Sequence, residues 1–298
     1  MNPSESSQTT QNFDPRLSRR HKIGAVAGVG LFGATLFGVV VLLTLLVDVA
    51  LDGYAWVGAD FLANNPSYQP EHSGVLSAVV GSLWLIGLTA LFSVPVGVAS
   101  AVYLEEYASD NWFRRLIQIN IANLAGVPSV VYGILGLALF VRFSAMGNSL
   151  LAGALTMSLL ILPIIIIATQ EALRAVPQGM RENAYALGAT RWQVIRGHLL
   201  PTAAPGILTG VILSLSRAIG ETAPLIVIGA LTSAHFLPRG VMDNFGALPL
   251  QIFDWTSRPQ PAFQELAAAA IIVMMGMLLL MNLSAILLRN YYEQYRPA

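Results

Sequence analysis

Along the chain, long apolar stretches alternate with short polar ones, and the apolar stretches are too long to be strands. Crossing the hydrocarbon core takes about 20 apolar residues in a helix. Six segments reach that length, at roughly residues 24–47, 75–103, 116–143, 150–173, 203–231 and 266–288. The pattern predicts an all-α polytopic membrane protein with six transmembrane helices, both termini on one side. Pro95, Pro128, Pro163 and Pro224 interrupt spans two to five, while spans one and six have no proline. A proline inside a helix frees the carbonyl four residues back, and in lipid that carbonyl needs a partner in protein or water. Each break alone fits an ordinary packing kink equally well. Together they predict an inner bundle of the middle four spans, with spans one and six further out. Gly126–Val127–Pro128 through Gly133, in span three, is small and irregular enough for close helix contact.

Composition agrees with a membrane protein. The chain is 55% hydrophobic and only 11% charged, against roughly 25% charged in soluble domains. Its 16 basic and 16 acidic residues cancel, which leaves no general case for nucleic acid as a partner. There is no cysteine, hence no disulfide or thiolate chemistry. His21, His72, His198 and His235 are too scattered for a metal site, so no metal and no cofactor are expected. Cytoplasmic loops favour Arg and Lys. With both ends inside, the cytoplasmic segments hold Arg16, Arg19, Arg20, Lys22, Arg114, Arg115, Arg174, Arg181, Arg191, Arg196, Arg289 and Arg296, and the outside keeps Arg142, Arg239 and Arg258. The first span follows a Ser/Thr/Gln-rich segment expected to be disordered and is too long for a signal-peptide core, so it reads as retained.

The polar interlude between spans four and five is built as two short helices with a hinge. Pro177 suits a helix start, and Gly188 can take the left-handed conformation that closes that helix. Thr190 with Gln193 three residues on matches a capping box, so a second helix can start there. This geometry by itself fits a plain amphipathic connector just as well. Glu182, Ala184, Gly188, Leu200 and Pro201, however, resemble the EAA motif of bacterial ABC importer permeases, with Asn183 in place of the second alanine and His198 in place of an isoleucine. The resemblance implies the type I ABC importer permease fold and an elbow, including Arg181, that docks on a cytoplasmic ATPase.

Arg217 and Glu221 are the only ionisable residues well inside a predicted span. Intramembrane charges cost at least ~2.5–3.5 kcal/mol each and usually mark a solute path. Counted from residue 203 at 1.5 Å per residue, Arg217 falls about 21 Å along its helix, near mid-membrane. Four residues apart, the two share a face and can pair, and Pro224 denies the Gly220 carbonyl its helical partner. An arginine fork suits oxyanions, so Arg217 can meet an anion in transit while Glu221 holds or releases it. A permanent structural ion pair fits the same residues.

Arg217–Ala218–Ile219–Gly220–Glu221–Thr222–Ala223–Pro224–Leu225 is similar to the span-five signature of PstA-type permeases of phosphate-specific ABC importers. The stretches from Leu248 to Pro261 and from Ser93 through Glu105–Glu106–Tyr107 resemble the same family. That likeness implies a substrate path at Arg217, Glu221 and Thr222 for phosphate, in the bacterial inner membrane. It also implies a PstC-like permease as heterodimer partner, two ATP-hydrolysing subunits and a periplasmic phosphate-binding protein. The expected layout is a disordered cytoplasmic tail at 1–22, a first helix and periplasmic loop at 23–74, and a core permease domain at 75–288. Within that core lie a coupling loop at 174–202 and a periplasmic loop at 232–264, and a cytoplasmic tail follows at 289–298. No catalysis is expected: no Gly-x4-Gly-Lys-Ser/Thr occurs, and no in-span His or Asp could assist a nucleophile. The residues leave open another oxyanion (molybdate, sulfate or phosphonate) and a freestanding secondary transporter.

Overall fold

The computed structural model describes residues 17–231 and 233–294. Arg16, Thr232 and Arg296, the expected tail up to residue 16 and the last four residues of the C-terminal tail lie outside it. The chain forms two units, residues 1–48 and 49–298. The described part of the first belongs to α1 (Leu17–Gly53), which takes in residues 17–22 that the sequence pattern assigned to the tail.

In the second unit, α2 (Ala59–Ala63) and a 3-10 turn at Pro70–His72 lead into α3 (Leu76–Val102), which continues as a π-helical turn, Tyr103–Tyr107. Next come α4 (Trp112–Ala125) and α5 (Ser129–Gly136), the latter extended by a π-helical run, Leu137–Phe143. After α6 (Leu150–Arg174), α7 (Gln178–Ala186) and α8 (Arg191–Val194) lead through a π-helical turn, Ile195–Leu199, into α9 (Leu200–Ile219). The short α10 (Ala223–Val227), α11 (Leu248–Thr256) and α12 (Pro261–Gln294) follow. Helices prevail because a lipid-exposed backbone must satisfy its own hydrogen bonds.

Five runs are long and apolar enough to cross a membrane, and α4 with α5 makes a sixth that is bent by 103°. Side-chain contacts fix the direction of the central ones. Thr89 Oγ1 on α3 donates to the Leu85 carbonyl at 2.7 Å and, more weakly, to the Ala154 carbonyl of α6 at 3.4 Å. Ser158 Oγ reaches back to the Thr89 carbonyl at 3.3 Å. A Cβ on Gly97 would meet Ile165, and Glu105 pairs with Arg174. Rising numbers on α3 meet rising numbers on α6, so these two helices run parallel. The bent pair must therefore carry the chain back across once. Gly206 and Gly210 of α9 face Ala172 and Ala168 of α6, an antiparallel small-residue seam of the kind that brings membrane helices close.

Two spans differ from the sequence pattern. Residues 116–143 are not one helix, because Gly126 closes α4 and Pro128 is extended at φ −55°, ψ 137°. A proline forces the residue before it out of the helical region. Tyr132 Oη donates to the Leu124 carbonyl at 2.8 Å across the corner. The fifth span begins at Arg191 and its helix ends at Ile219, instead of running over 203–231. At its start a π turn precedes Pro201, which cannot donate an N–H. At its end Gly220 and Pro224, poor helix formers both, break it.

The core lies along α6, where Leu150, Met157, Ile161, Ile165 and Leu173 are fully buried. Of the most apolar stretch of each helix, 67% is buried in α6 but 6% in α12, so α12 stands further out as expected. The segment between α10 and α12 ties α3 and α6 together at one end of the bundle. Leu150 N donates to the Asp243 carbonyl and Leu248 N to Ser82 Oγ.

Candidate functional site

Two places gather the residues singled out in the sequence, and they lie at opposite ends of α9.

The elbow forms as the local signals require. Gly188 takes φ +82°. Its N–H donates to the Tyr185 carbonyl and that of Ala189 to the Ala184 carbonyl, the paired bonds of a Schellman ending. Thr190 N donates to Gln193 Oε1 at 2.8 Å and Gln193 N to Thr190 Oγ1 at 3.4 Å, a reciprocal capping box. Ala184 is buried while Glu182 and Gly188 are exposed. Leu187 is 89% exposed, and Tyr185 and Trp192 are also open. A cleft of about 390 Å³ on this face is lined by Pro177, Met180, Asn183, Ala184, Leu187 and His198. Asn183 and His198, the two departures from the motif, therefore meet in one place. Leu200 is half-buried and lines a second, apolar groove with Trp192, Tyr103 and Tyr107, while Pro201 stands exposed at the second position of α9.

Arg181 turns inward. Its Nη2 lies 2.9 Å from Glu106 Oε1 and donates to the Leu173 carbonyl at 2.9 Å. Glu105 pairs with Arg174 Nε at 3.1 Å and with Arg114 Nη2 at 3.7 Å, and the Arg191 guanidinium sits 5.7 Å from the centre of the Tyr107 ring. Arg114, Arg174, Arg181 and Arg191 thus gather at one end of the bundle, the end that the excess of basic residues assigned to the cytoplasm. The carboxylates that organise them had no assigned role in the sequence reading. The signal was present: Glu105 and Glu106 are the chain's only consecutive acidic residues, placed where an apolar run ends.

At the other end, Arg217 lies in the last turn of α9, about 39 Å from Arg191 along the helix axis. This replaces the mid-helix position expected from a start at residue 203. Its Nε lies 3.5 Å from Glu221 Oε1; the Arg217 side chain is 56% exposed and that of Glu221 19%. Gly220 N donates to the Arg217 carbonyl and Glu221 N to the Ala218 carbonyl, bonds that tighten the helix end. The half-buried Thr222 starts α10, its carbonyl accepting from Leu225 N and Ile226 N. Behind the break, α10 packs on α5 so closely that a Cβ on Gly133 would lie 2.8 Å from Pro224 Cα. Ser216 Oγ donates to Asn282 Oδ1 at 2.6 Å, anchoring the same turn to α12. The pair therefore sits on a firmly held backbone with its cation facing out of the single chain.

Comparison with known proteins adds three findings. Residues 93–294 match the family described as binding-protein-dependent transport system inner membrane component. The phosphate transport system permease protein PstA of Mycobacterium leprae is 38% identical over 250 residues, covering 82% of this chain and 81% of that protein. PstA 1 of Mycobacterium tuberculosis is 32% identical over 282 residues, covering 93% and 92%. The probable ABC transporter permease protein YqgH of Bacillus subtilis is 41% identical over 191 residues, and that match spans 62% of this chain and 60% of YqgH. Among solved structures, a bacterial alginate ABC transporter superposes with a TM-score of 0.65 at 18% identity over 91% of this chain and 96% of its own. The MetNI methionine ABC transporter reaches 0.59 at 18% identity, over 74% and 94%. At that identity the two structures speak for the fold.

Proposed function

Since the chain belongs to the family of binding-protein-dependent transport system inner membrane components, we propose that it is a permease subunit of an ATP-driven importer of inorganic phosphate. It performs no chemistry itself, and ATP is hydrolysed on separate subunits docked at the elbow. The full complex comprises a PstC-like second permease, two ATPase copies and a periplasmic phosphate-binding protein. The extended match to phosphate permeases supports phosphate as the cargo.

The observation that carries this reading is the Arg217–Glu221 pair at the break in the fifth span. A guanidinium offers a planar fork of donors that suits phosphate oxygens. At 3.5 Å the glutamate is a loose partner, and among the described residues no other acceptor reaches the guanidinium. Its outward position fits a path shared between two permease halves, with Thr222 beside it. On the cytoplasmic side Glu182, Ala184, Gly188, Leu200 and Pro201 form the coupling surface.

The test is uptake of labelled phosphate by proteoliposomes holding the whole complex. Excess unlabelled phosphate should compete, and sulfate, molybdate and phosphonate should not. Arg217→Gln should assemble normally and lose at least tenfold in uptake. Indifference to phosphate would remove the assigned cargo, and an Arg217→Gln chain that cannot assemble would make the pair structural.

A further inference from the structure

Three consecutive residues at the foot of the second span reach four different elements. Glu105 holds Arg174 at the end of α6 and Arg114 on α4, contacts internal to the bundle. Glu106 holds Arg181 on α7, and Tyr107 lies under Arg191 at the start of α8. The π-helical turn Tyr103–Tyr107 thus touches both arms of the elbow, although more than 70 residues of chain separate Glu106 from Arg181 (181 − 106 = 75). Wide π turns within helices are frequent at functional sites.

We infer that this turn receives the elbow's movement, and that the Glu106–Arg181 ion pair is the strut that passes it to α3. The inference rests on the elbow being the ATPase dock, and it assigns Arg181 a positioning role within the chain instead of a contact with the ATPase. Among the described residues it is the only ion pair that α7 makes. Its partners are well shielded, with the Glu106 side chain 8% exposed and that of Arg181 24%, so salt screens it less than a surface pair. The same guanidinium donates to the carbonyl of Leu173, in the last turn of α6, which also accepts from Val176 N at 3.3 Å. One arginine therefore clamps the lower ends of α3 and α6, which run parallel and end together. A push on α7 reaches both helices at once, whereas the peptide chain alone links α7 to α6 through residues 175–177.

The experiment uses the whole complex with its binding protein in proteoliposomes, and measures phosphate moved per ATP hydrolysed alongside ATPase attachment. Glu106→Gln, close to the native side chain in size, should keep the ATPase attached and hydrolysing while the ratio falls at least fivefold. Glu106→Arg should lower it further, and adding Arg181→Glu to it should raise the ratio at least fivefold again. A normal ratio in Glu106→Gln, or a reversed pair no better than Glu106→Arg, would overturn the strut. So would failure of Glu106→Gln to assemble, which would make the pair a folding contact. A wild-type complex that retains no ATPase at the elbow is a different result, because it removes the docking surface itself.

Discussion

Gly188 shows how much a single backbone angle governs. At φ +82° it occupies the left-handed region, and a Cβ there would meet nothing within 4 Å, so any penalty for substitution comes from the backbone alone. L-residues pay roughly 1–2 kcal/mol for that region, and Asn least among them. Gly188→Asn should therefore keep transport near wild type, Gly188→Ala should weaken ATPase-coupled transport, and Gly188→Val should weaken it most. Transport rate per assembled complex reads this order, and equal rates for Asn and Val would deny the elbow its coupling role. This hinge and its capping box were legible in the sequence, because their rules act over three or four residues. The Glu106–Arg181 pair was not, since no local pattern links positions 75 apart. Arg217 was legible as a charge in an apolar run, but its place along the helix was not, because the second short helix of the elbow runs on without a break into the span that the apolar pattern started at residue 203.

Among the elements, close approach is set by residues without side chains. The seam between α6 and α9 places Gly210 where a Cβ would lie 2.4 Å from Ala168 Cβ, and Gly206 where it would lie 2.9 Å from Ala172 Cβ. Gly210→Val should lower the thermal midpoint of the purified protein in detergent, with about 1–3 kcal/mol of overpacking strain. Gly87→Ala, where a Cβ meets nothing within 4 Å, should leave it unchanged. An equal midpoint for both would mean that the two helices do not meet at this seam. Four of the six crossings, the first, second, fourth and sixth, were legible from apolar length alone. The bend of 103° in the third was not, because Gly126 and Pro128 announce a break without fixing its angle. The angle follows from the Tyr132 bond across the corner and from where α6 leaves room.

For the whole molecule, the elbow and the Arg217–Glu221 pair lie at opposite ends of one continuous helical run, from Arg191 to Ile219. A displacement of the elbow therefore moves the base of the helix that carries Arg217. The all-α class and the number of spans could be read from apolar length, whereas the parallel course of α3 and α6 needed the contacts between them. The most direct test is accumulation of phosphate inside proteoliposomes carrying the permease pair and its ATPases, with binding protein and phosphate outside and ATP enclosed. The expected result is an internal phosphate concentration, corrected for that released by hydrolysis, that rises above the external one only while ATP is present and stops when the ATPase is inactivated. Equilibration without ATP, or accumulation that survives ATPase inactivation, would contradict it.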